Sequence, residues 1–312
     1  MTGASGAQPG RGDPGRPEHV PAVSVCVPLY MKERFVARTV QSVLDQTFGD
    51  FELVVVHNAS PDRSGEVVRS FDDSRIRVVD NAETVPGPEN VARAVGLARA
   101  PLVKILAADD VLYPTVLARQ VAALADPGVA VVSCRQHMID EDDRVLYPDR
   151  SLRHGDLVGR RDRRTVVRRV VRHTGNPLGA YANLMFRRAD YEAIGGVPAD
   201  APWIAHDLAL TLALLQRGDF VGLDETLVGF RIGSGSSSAA QSSEGIADQV
   251  GFTRRLRRDE RADLRASDLV ASHLRMPLMR VRHRLIVAAA GPRDDTRTRV
   301  ARQVLGLSRP HA

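Results

Sequence analysis

From Val23 onward, short runs that are apolar on both faces alternate with segments in which apolar residues recur every three or four positions. AVSVCVPLY is an unbroken apolar run stopped by Pro28, FVARTVQSVLDQT has helical spacing, and FELVVVHN is a second run that ends in polar residues. These patterns predict strand, helix, strand. The alternation continues with a helix near residues 64–71, a strand RIRVV, a helix over about 89–100, a strand PLVKILA, a helix over 114–125 and a strand VAVVSC. Runs buried on both faces and separated by helices predict a mostly parallel sheet covered by helices on each side, an α/β fold. In such sheets ligands bind beyond the carboxyl ends of the strands. Pro28 to Tyr30, His57 to Asp62, and Asp109 with Asp110 all fall at those ends. Three polar clusters are therefore expected to converge on one crevice.

After about residue 136 the texture changes. HMIDEDDRVLYPDR predicts a hairpin or loop, RRDRRTVVRRVVRH has valines at helical spacing among arginines, and GNPLGAYANLMFRR brings an ordered loop into a strand. WIAHDLALTLALLQRGD then begins a helix, FVGLDETLVGFRI reads as strand, turn and strand, and GSGSSSAAQSS as a flexible loop. From about residue 244 two or three helices carry charge on one side. Residues 1–20, rich in Gly, Pro and charge without an apolar period, read as a disordered tail. The expected organisation is thus a tail (1–20), one α/β domain (21–240) and a helical C-terminal extension (241–312).

Composition narrows the partners. The formal charge of +5 comes almost wholly from arginine, because Lys32 and Lys104 are the only lysines among 312 residues. Arginine suits phosphate recognition through its planar fork, but no aromatic stacking residues are interleaved with the arginines, so nucleic acid is not an expected partner. Cys26 and Cys134 sit inside apolar runs and form neither a disulfide framework nor a zinc spacing. The chain lacks an apolar leader or a run near the roughly 20 residues of a membrane span, and is expected in the cytoplasm.

Five ordered segments, spanning about residues 23–238, together resemble the inverting, nucleotide-sugar-dependent glycosyltransferases of family 2, which have the GT-A fold: a Rossmann-like mixed, mostly parallel sheet with helices on both faces. VSVCVPLYMKERFVARTVQSVLDQTF resembles the opening strand, Pro-x-Tyr turn and helix, which implies that Pro28, Tyr30 and Glu33 line the nucleoside pocket; Met31 stands where Asn is usual. FELVVVHNASPDRS is similar to the second strand and its base-contacting turn, with His57 in place of the first Asp and with Asn58 and Ser60 keeping the turn. GPENVARAVGLARA resembles the helix that presents an arginine to the diphosphate, which implies that role for Arg93 at a helix start, with Ala94 where Asn is usual.

KILAADDVLYP lies where the family carries Leu-Asp-Ala-Asp-Asp, so Ala107 replaces the first Asp while Asp109 and Asp110 match the last two. The resemblance implies that Asp109 and Asp110 hold a divalent cation, Mg²⁺ or Mn²⁺, with the donor diphosphate and water, more weakly for want of the first Asp. Both aspartates also read as caps of the helix that starts near Pro114. GNPLGAYANLMFRR resembles an acceptor-side loop, where Asn176, Gly179 and Asn183 either meet sugar hydroxyls or simply shape the loop. In PWIAHDLALTLALL, Asp207 matches the catalytic base, with His206 on the acceptor side where Glu is common; Arg231 and the Ser-rich segment after it are expected over the phosphates.

The implied function is transfer of one sugar to an acceptor hydroxyl with inversion, in making a cell-surface glycan or glycoconjugate. The acceptor is a sugar, a lipid-linked or a small molecule. No Gln-x-x-Arg-Trp motif of processive synthases is present. The alternative is a degenerate protein that binds nucleotide or glycan without turnover, motivated by Met31, His57 and Ala107. Residues 160–172 and SHLRMPLMRVRHRLIVAAAG combine arginines with an apolar stripe, which also fits peripheral contact with the inner face of a membrane.

Overall fold

A computed structural model describes residues 19–152, 156–232, 243–289 and residues 298, 300 and 301. The expectations for most of the N-terminal tail and for the Ser-rich loop at 233–242 lie outside the described residues. The elements run β1 (Val23–Leu29), α1 (Val36–Leu44), β2 (Phe51–His57), α2 (Ser64–Arg69), β3 (Ile76–Asp80), α3 (Gly87–Gly96), β4 (Leu102–Ile105), β5 (Val111–Leu112), α4 (Val116–Leu124), β6 (Val129–Ile139) and β7 (Val145–Arg150). They continue β8 (Gly159–Arg161), α5 (Arg163–His173), β9 (Met185–Arg187), α6 (Arg188–Ala193), α7 (His206–Leu214), β10 (Asp219–Arg231), α8 (Ser243–Asp259) and α9 (Ala266–Ala289).

One mixed sheet has the order β3-β2-β1-β4-β9-β6-β10-β5, with β7 added to β6 and β8 to β10. The first four strands are parallel, as expected for runs buried on both faces. β9 inserts antiparallel between β4 and β6. The two faces of the sheet hold separate cores: Val25, Val27, Leu53 and Val55 pack with α1 and α4, and Cys26, Val54, Val56, Phe186 and Phe220 with α3, α5 and α7. Alternation of side chains along each strand divides the residues between these two layers.

The segment FVGLDETLVGFRI corrects one expectation, since it is the body of a single strand rather than strand, turn and strand. β10 runs unbroken beside β6 with register shifts around Leu223, Thr226 and Val228. Asp224 and Glu225 lie at that irregularity and pair with Arg135 and Arg119. The charges that read as a turn in sequence are carried by a bulge, which takes an extra residue without ending the strand.

The arginines of α5 likewise have internal partners. Arg163 pairs with Glu260, Arg164 with Asp263, and Arg168 and Arg172 both with Asp268, at 2.8 and 3.1 Å for the last two. Phe252 and Leu256 of α8, and Leu264 between α8 and α9, pack against the core beneath. The first of the two basic stretches therefore fastens α8 and α9 to the α/β body instead of forming a free basic face.

Candidate functional site

β1, β2 and β4 end side by side, and the turns that follow them build one wall of a cleft. After Leu29 the chain reverses through Met31, whose φ of 51° is left-handed. The reversal is held by the loop after β2: Met31 N–H donates to Ser60 Oγ (2.8 Å), Lys32 N–H to Ser64 Oγ (3.0 Å) and Glu33 N–H to Asp62 Oδ2 (3.0 Å). Short polar side chains that accept from nearby backbone N–H groups explain why NASPDRS follows the strand. Pro28 and Tyr30 line the cleft, with Tyr30 42% exposed.

The floor comes from the end of β4. Asp109 Oδ2 lies 2.7 Å from the Nζ of Lys32, and both side chains are largely shielded from solvent. Asp110 is buried, and its Oδ1 accepts the Arg231 N–H at 2.9 Å while its Oδ2 is a buried oxygen without a hydrogen-bond partner. Burial, and the neighbouring Asp109 charge, push the Asp110 pKa well above the usual carboxylate range. Neither aspartate caps the next helix, since the cap position of α4 is Thr115.

The opposite wall is formed by Ala180, Tyr181, Trp203, Ile204 and Asp207. Asp207 enters in the first turn of α7, accepting the Leu208 N–H at 2.7 Å. Burial pushes its carboxyl from 3.8 up to about 7, against hydrogen bonds from Leu208 and Asn176 that draw it down. The Tyr181 hydroxyl lies 2.8 Å from Nδ1 of His206, and the Trp203 ring tilts over the same imidazole with centroids 5.3 Å apart. Trp203 is 46% exposed and, with Tyr181, lines the cleft. The cleft encloses about 490 Å³ and brings together Pro28, Tyr30, Asn58, Asp109, Asp110, Asp207 and Arg231. That is the convergence expected of three strand ends, with a fourth contribution from α7.

Other expected residues stand elsewhere. Alternation along β2 sends His57 and Asn58 to opposite sides. The ring of His57 turns to Asp80, its in-register neighbour on β3, at 2.9 Å, and only Asn58 reaches the cleft. There Asn58 binds both polar groups of Val85, so it shapes the 82–86 loop that overhangs the site. Arg93 was expected at a helix start facing phosphates; α3 begins at Gly87, which puts Arg93 in the last turn, exposed and 3.4 Å from the Asp80 carbonyl. Glu33 is outside the cleft wall and accepts the Arg63 N–H.

On the acceptor side, Asn176 bonds to Gly179 O and Leu178 N–H, and Asn183 is fully buried, bonding Ala180 N–H and Cys134 O. A Cβ on Gly179, at φ 104°, would stand 2.6 Å from Asn183. These residues stitch the loop together and do not themselves line the cleft, nor does His206. Arg231 lines the cleft yet is 2% exposed and fully engaged, with Nε on Asp109 O (2.7 Å), Nη1 on Asp140 O (2.6 Å), Nη2 paired to Asp143 and its guanidinium over the Phe35 ring. It is a clasp between β10 and the strand ends rather than a hand held out to phosphates. Lys32, Tyr181 and Trp203 are among the cleft residues that sequence reasoning passed over; the rarity of lysine and tryptophan in this chain was the available signal for two of them.

A divalent cation in this cleft would rest on Asp109 and Asp110, and these residues do not make a fitting set. Ala107 offers no oxygen, Lys32 already holds Asp109, and Asp110 is biased toward its neutral form. Among the described residues no three His, Cys, Asp or Glu side chains are grouped to hold a metal.

Residues 24–195, more than half of the chain, match the sequence profile of Glycosyl transferase family 2. The glycosyltransferase EpsJ of Bacillus subtilis (strain 168) is 31% identical over 133 residues, 41% of this chain and 38% of that protein. The putative teichuronic acid biosynthesis glycosyltransferase TuaG of the same organism is 24% identical over 226 residues, 70% and 82% of the two chains. The chain spans 38%, 42% and 63% of three curated relatives that it matches. Among solved structures, the mannosyltransferase PcManGT of Pyrobaculum calidifontis, in complex with GDP-Man and Mn²⁺, superimposes with a TM-score of 0.54 at 19% identity, covering 94% of this chain and 82% of that one. The shared architecture is the GT-A fold.

Proposed function

The chain belongs to glycosyl transferase family 2, and from that premise we propose that it moves one sugar from a nucleotide-sugar donor to an acceptor hydroxyl, with inversion, in the synthesis of a cell-surface glycan or glycoconjugate. The observation that carries this reading is the cleft in which Asp207 faces the strand-end residues Pro28, Tyr30, Asn58 and Asp109. Nucleoside and diphosphate take the strand-end wall. The acceptor takes the Trp203 and Tyr181 wall, where an aromatic face suits a sugar ring.

Asp207 then removes the proton from the acceptor hydroxyl as its oxygen attacks the anomeric carbon. The bond from that carbon to the diphosphate oxygen breaks, the configuration inverts, and the nucleoside diphosphate leaves. A base with a pKa of about 7 is about half ionised at neutral pH and well matched to proton transfer there. His206 acts from behind, through Tyr181, to hold the acceptor wall. The relation to TuaG supports a cell-surface product. Ala107, the Lys32-bound Asp109 and the buried Asp110 do not form a set for the divalent cation that the resemblance implies.

The experiment is release of nucleoside diphosphate from UDP-, dTDP- and GDP-sugars with glycan and lipid-linked acceptors, and NMR of the anomeric configuration of the product. Turnover that yields the inverted anomer and is lost in Asp207→Asn supports the assignment. Donor binding without turnover in any combination would sink it in favour of the non-catalytic reading.

A peripheral membrane contact belongs to the same proposal. Among the described residues no helix is long and apolar enough to cross a membrane. α9, however, leaves Val270, Leu274, Leu278 and Val281 exposed at helical spacing. The segment also carries Arg275, Arg280, Arg282 and Arg284. An apolar stripe among arginines supports docking on an anionic lipid surface. Sedimentation with anionic but not neutral vesicles, reduced by Leu274→Ser with Leu278→Ser, is the expected result; equal pelleting of the variant would refute it.

A further inference from the structure

Among the described residues, the charged side chains that line the cleft are Lys32, Asp109, Asp110, Asp207 and Arg231. A donor diphosphate brought into this mostly acidic set needs a cation. The two arginines expected to supply one are spent elsewhere: Arg231 on Asp109 O, Asp140 O and Asp143, and Arg93 outside the cleft. Among the described residues, Lys32 is the other cationic residue of the cleft lining, with its Nζ beside Asp109.

We propose that the Lys32 ammonium holds the donor diphosphate and does the work that a divalent cation does in other proteins of this fold, so that donor binding is independent of metal. This inference rests on the nucleotide-sugar reading above.

Four observations support it. First, the position is built rather than incidental, since Lys32 stands in a turn whose three successive N–H groups, from Met31 to Glu33, are held by Ser60, Ser64 and Asp62. Second, the ammonium is 2.7 Å from Asp109 Oδ2, with the two side chains 13% and 11% exposed. A divalent cation bound by that oxygen would sit at about 2.0–2.6 Å from it, in the space and the field that the ammonium already fills. Third, Ala107 removes the oxygen that would favour a metal over the amine. Fourth, the chain uses arginine almost everywhere and keeps lysine only at 32 and 104. A compact ammonium acts as a point charge with three rotatable donors, so it can serve more than one anionic oxygen at once, which a planar fork in the same place does less well. Asp109 in this arrangement is a positioning residue that aims Lys32. As the bond to the sugar breaks, the fixed positive charge stabilises the departing diphosphate without itself taking or losing a proton.

The test is calorimetric titration of the full chain with UDP, dTDP and GDP, in EDTA and in Mn²⁺, for the wild type and for Lys32→Met. Thermal melting verifies the fold of the variant. The expected result is that one nucleotide binds the wild type in EDTA with an affinity that Mn²⁺ changes by less than about threefold. Lys32→Met is expected to weaken that binding by about 10- to 100-fold, the worth of one charge-assisted hydrogen bond. Wild-type binding that Mn²⁺ tightens by about tenfold or more, or equal affinity of Lys32→Met and wild type in EDTA, overturns the inference and leaves the donor-binding reading intact. No binding of any nucleotide in either buffer overturns both. The wild-type comparison alone decides the metal question if Lys32→Met does not fold.

Discussion

Replacing Asp207 by Asn is expected to raise stability and remove activity, with both effects following one titration. Folding lifts the carboxyl from its ordinary 3.8 to about 7 because the charged form loses its water in the cleft wall. That span corresponds to at most about 4 kcal/mol. The folded-state value lies above the unfolded one, so the cost is absent below about pH 4, grows as the pH rises, and is complete above about pH 7. An amide carries no charge to desolvate. The melting temperature of Asp207→Asn should match wild type near pH 4 and exceed it increasingly up to pH 7, by a margin that then stays level. In the same protein, turnover should fall by about 10²- to 10⁴-fold, the usual contribution of a positioned base. Wild-type turnover should rise tenfold per pH unit below 7 and flatten above it. Differential scanning calorimetry and initial rates across pH 4–9 read both limbs. A wild-type profile with its midpoint near 4, or an Asn variant less stable than wild type at pH 8, would refute the desolvation argument.

Asn176→Ala removes a hydrogen bond that draws the Asp207 carboxyl down, so the acid limb of the rate profile is expected to move to higher pH; an unmoved limb would count against that contact. Arg231→Ala strips donors from Asp109 O, Asp140 O and Asp143, and should cost about 3–5 kcal/mol in denaturant unfolding, with a smaller loss showing that the clasp is dispensable. Lys104, fully buried and bonded to Gln120 Oε1 and Ala182 O, has its pKa pushed down to about 8 by burial. Its folded value lies below the unfolded one, so wild-type stability should rise between about pH 8 and 10.5, a rise that Lys104→Met should lack. Trp203→Ala is expected to raise the acceptor KM while leaving nucleotide affinity within about twofold of wild type, the reverse pattern placing Trp203 on the donor instead.

Much of the frame follows from local pattern. The double-sided apolar runs at residues 23–29 and 51–57 have nowhere to go but the middle of a covered sheet, and the polar residues that end them must stand at the strand ends. Position along the chain therefore sufficed to bring Pro28, Tyr30, Asn58, Asp109 and Asp110 to one cleft, whereas Asp207, in the first turn of α7, was singled out by the family resemblance and not by a strand end. It did not suffice for direction. His57 and Asn58 are neighbours, and only strand alternation and the register with Asp80 send one to the cleft and the other away. Arg93 depends on where α3 begins, which shifts its place within the helix.

What the sequence by itself determined was the order of elements and the set of residues at strand ends, because hydrophobic period and turn chemistry act over a few residues. What the tertiary structure decided was which charges are already spent. Arg231 and the α5 arginines Arg163, Arg164, Arg168 and Arg172 read as free cations along the chain, and the fold gives each a carboxylate or carbonyl from a segment about 90 residues or more away. Lys32 and Asp109, 2.7 Å apart at the strand-end side of the cleft, meet for the same reason. Pairing energies fall off within a few ångströms in a shielded site, so the chemistry of this cleft is set by distances that no linear pattern contains.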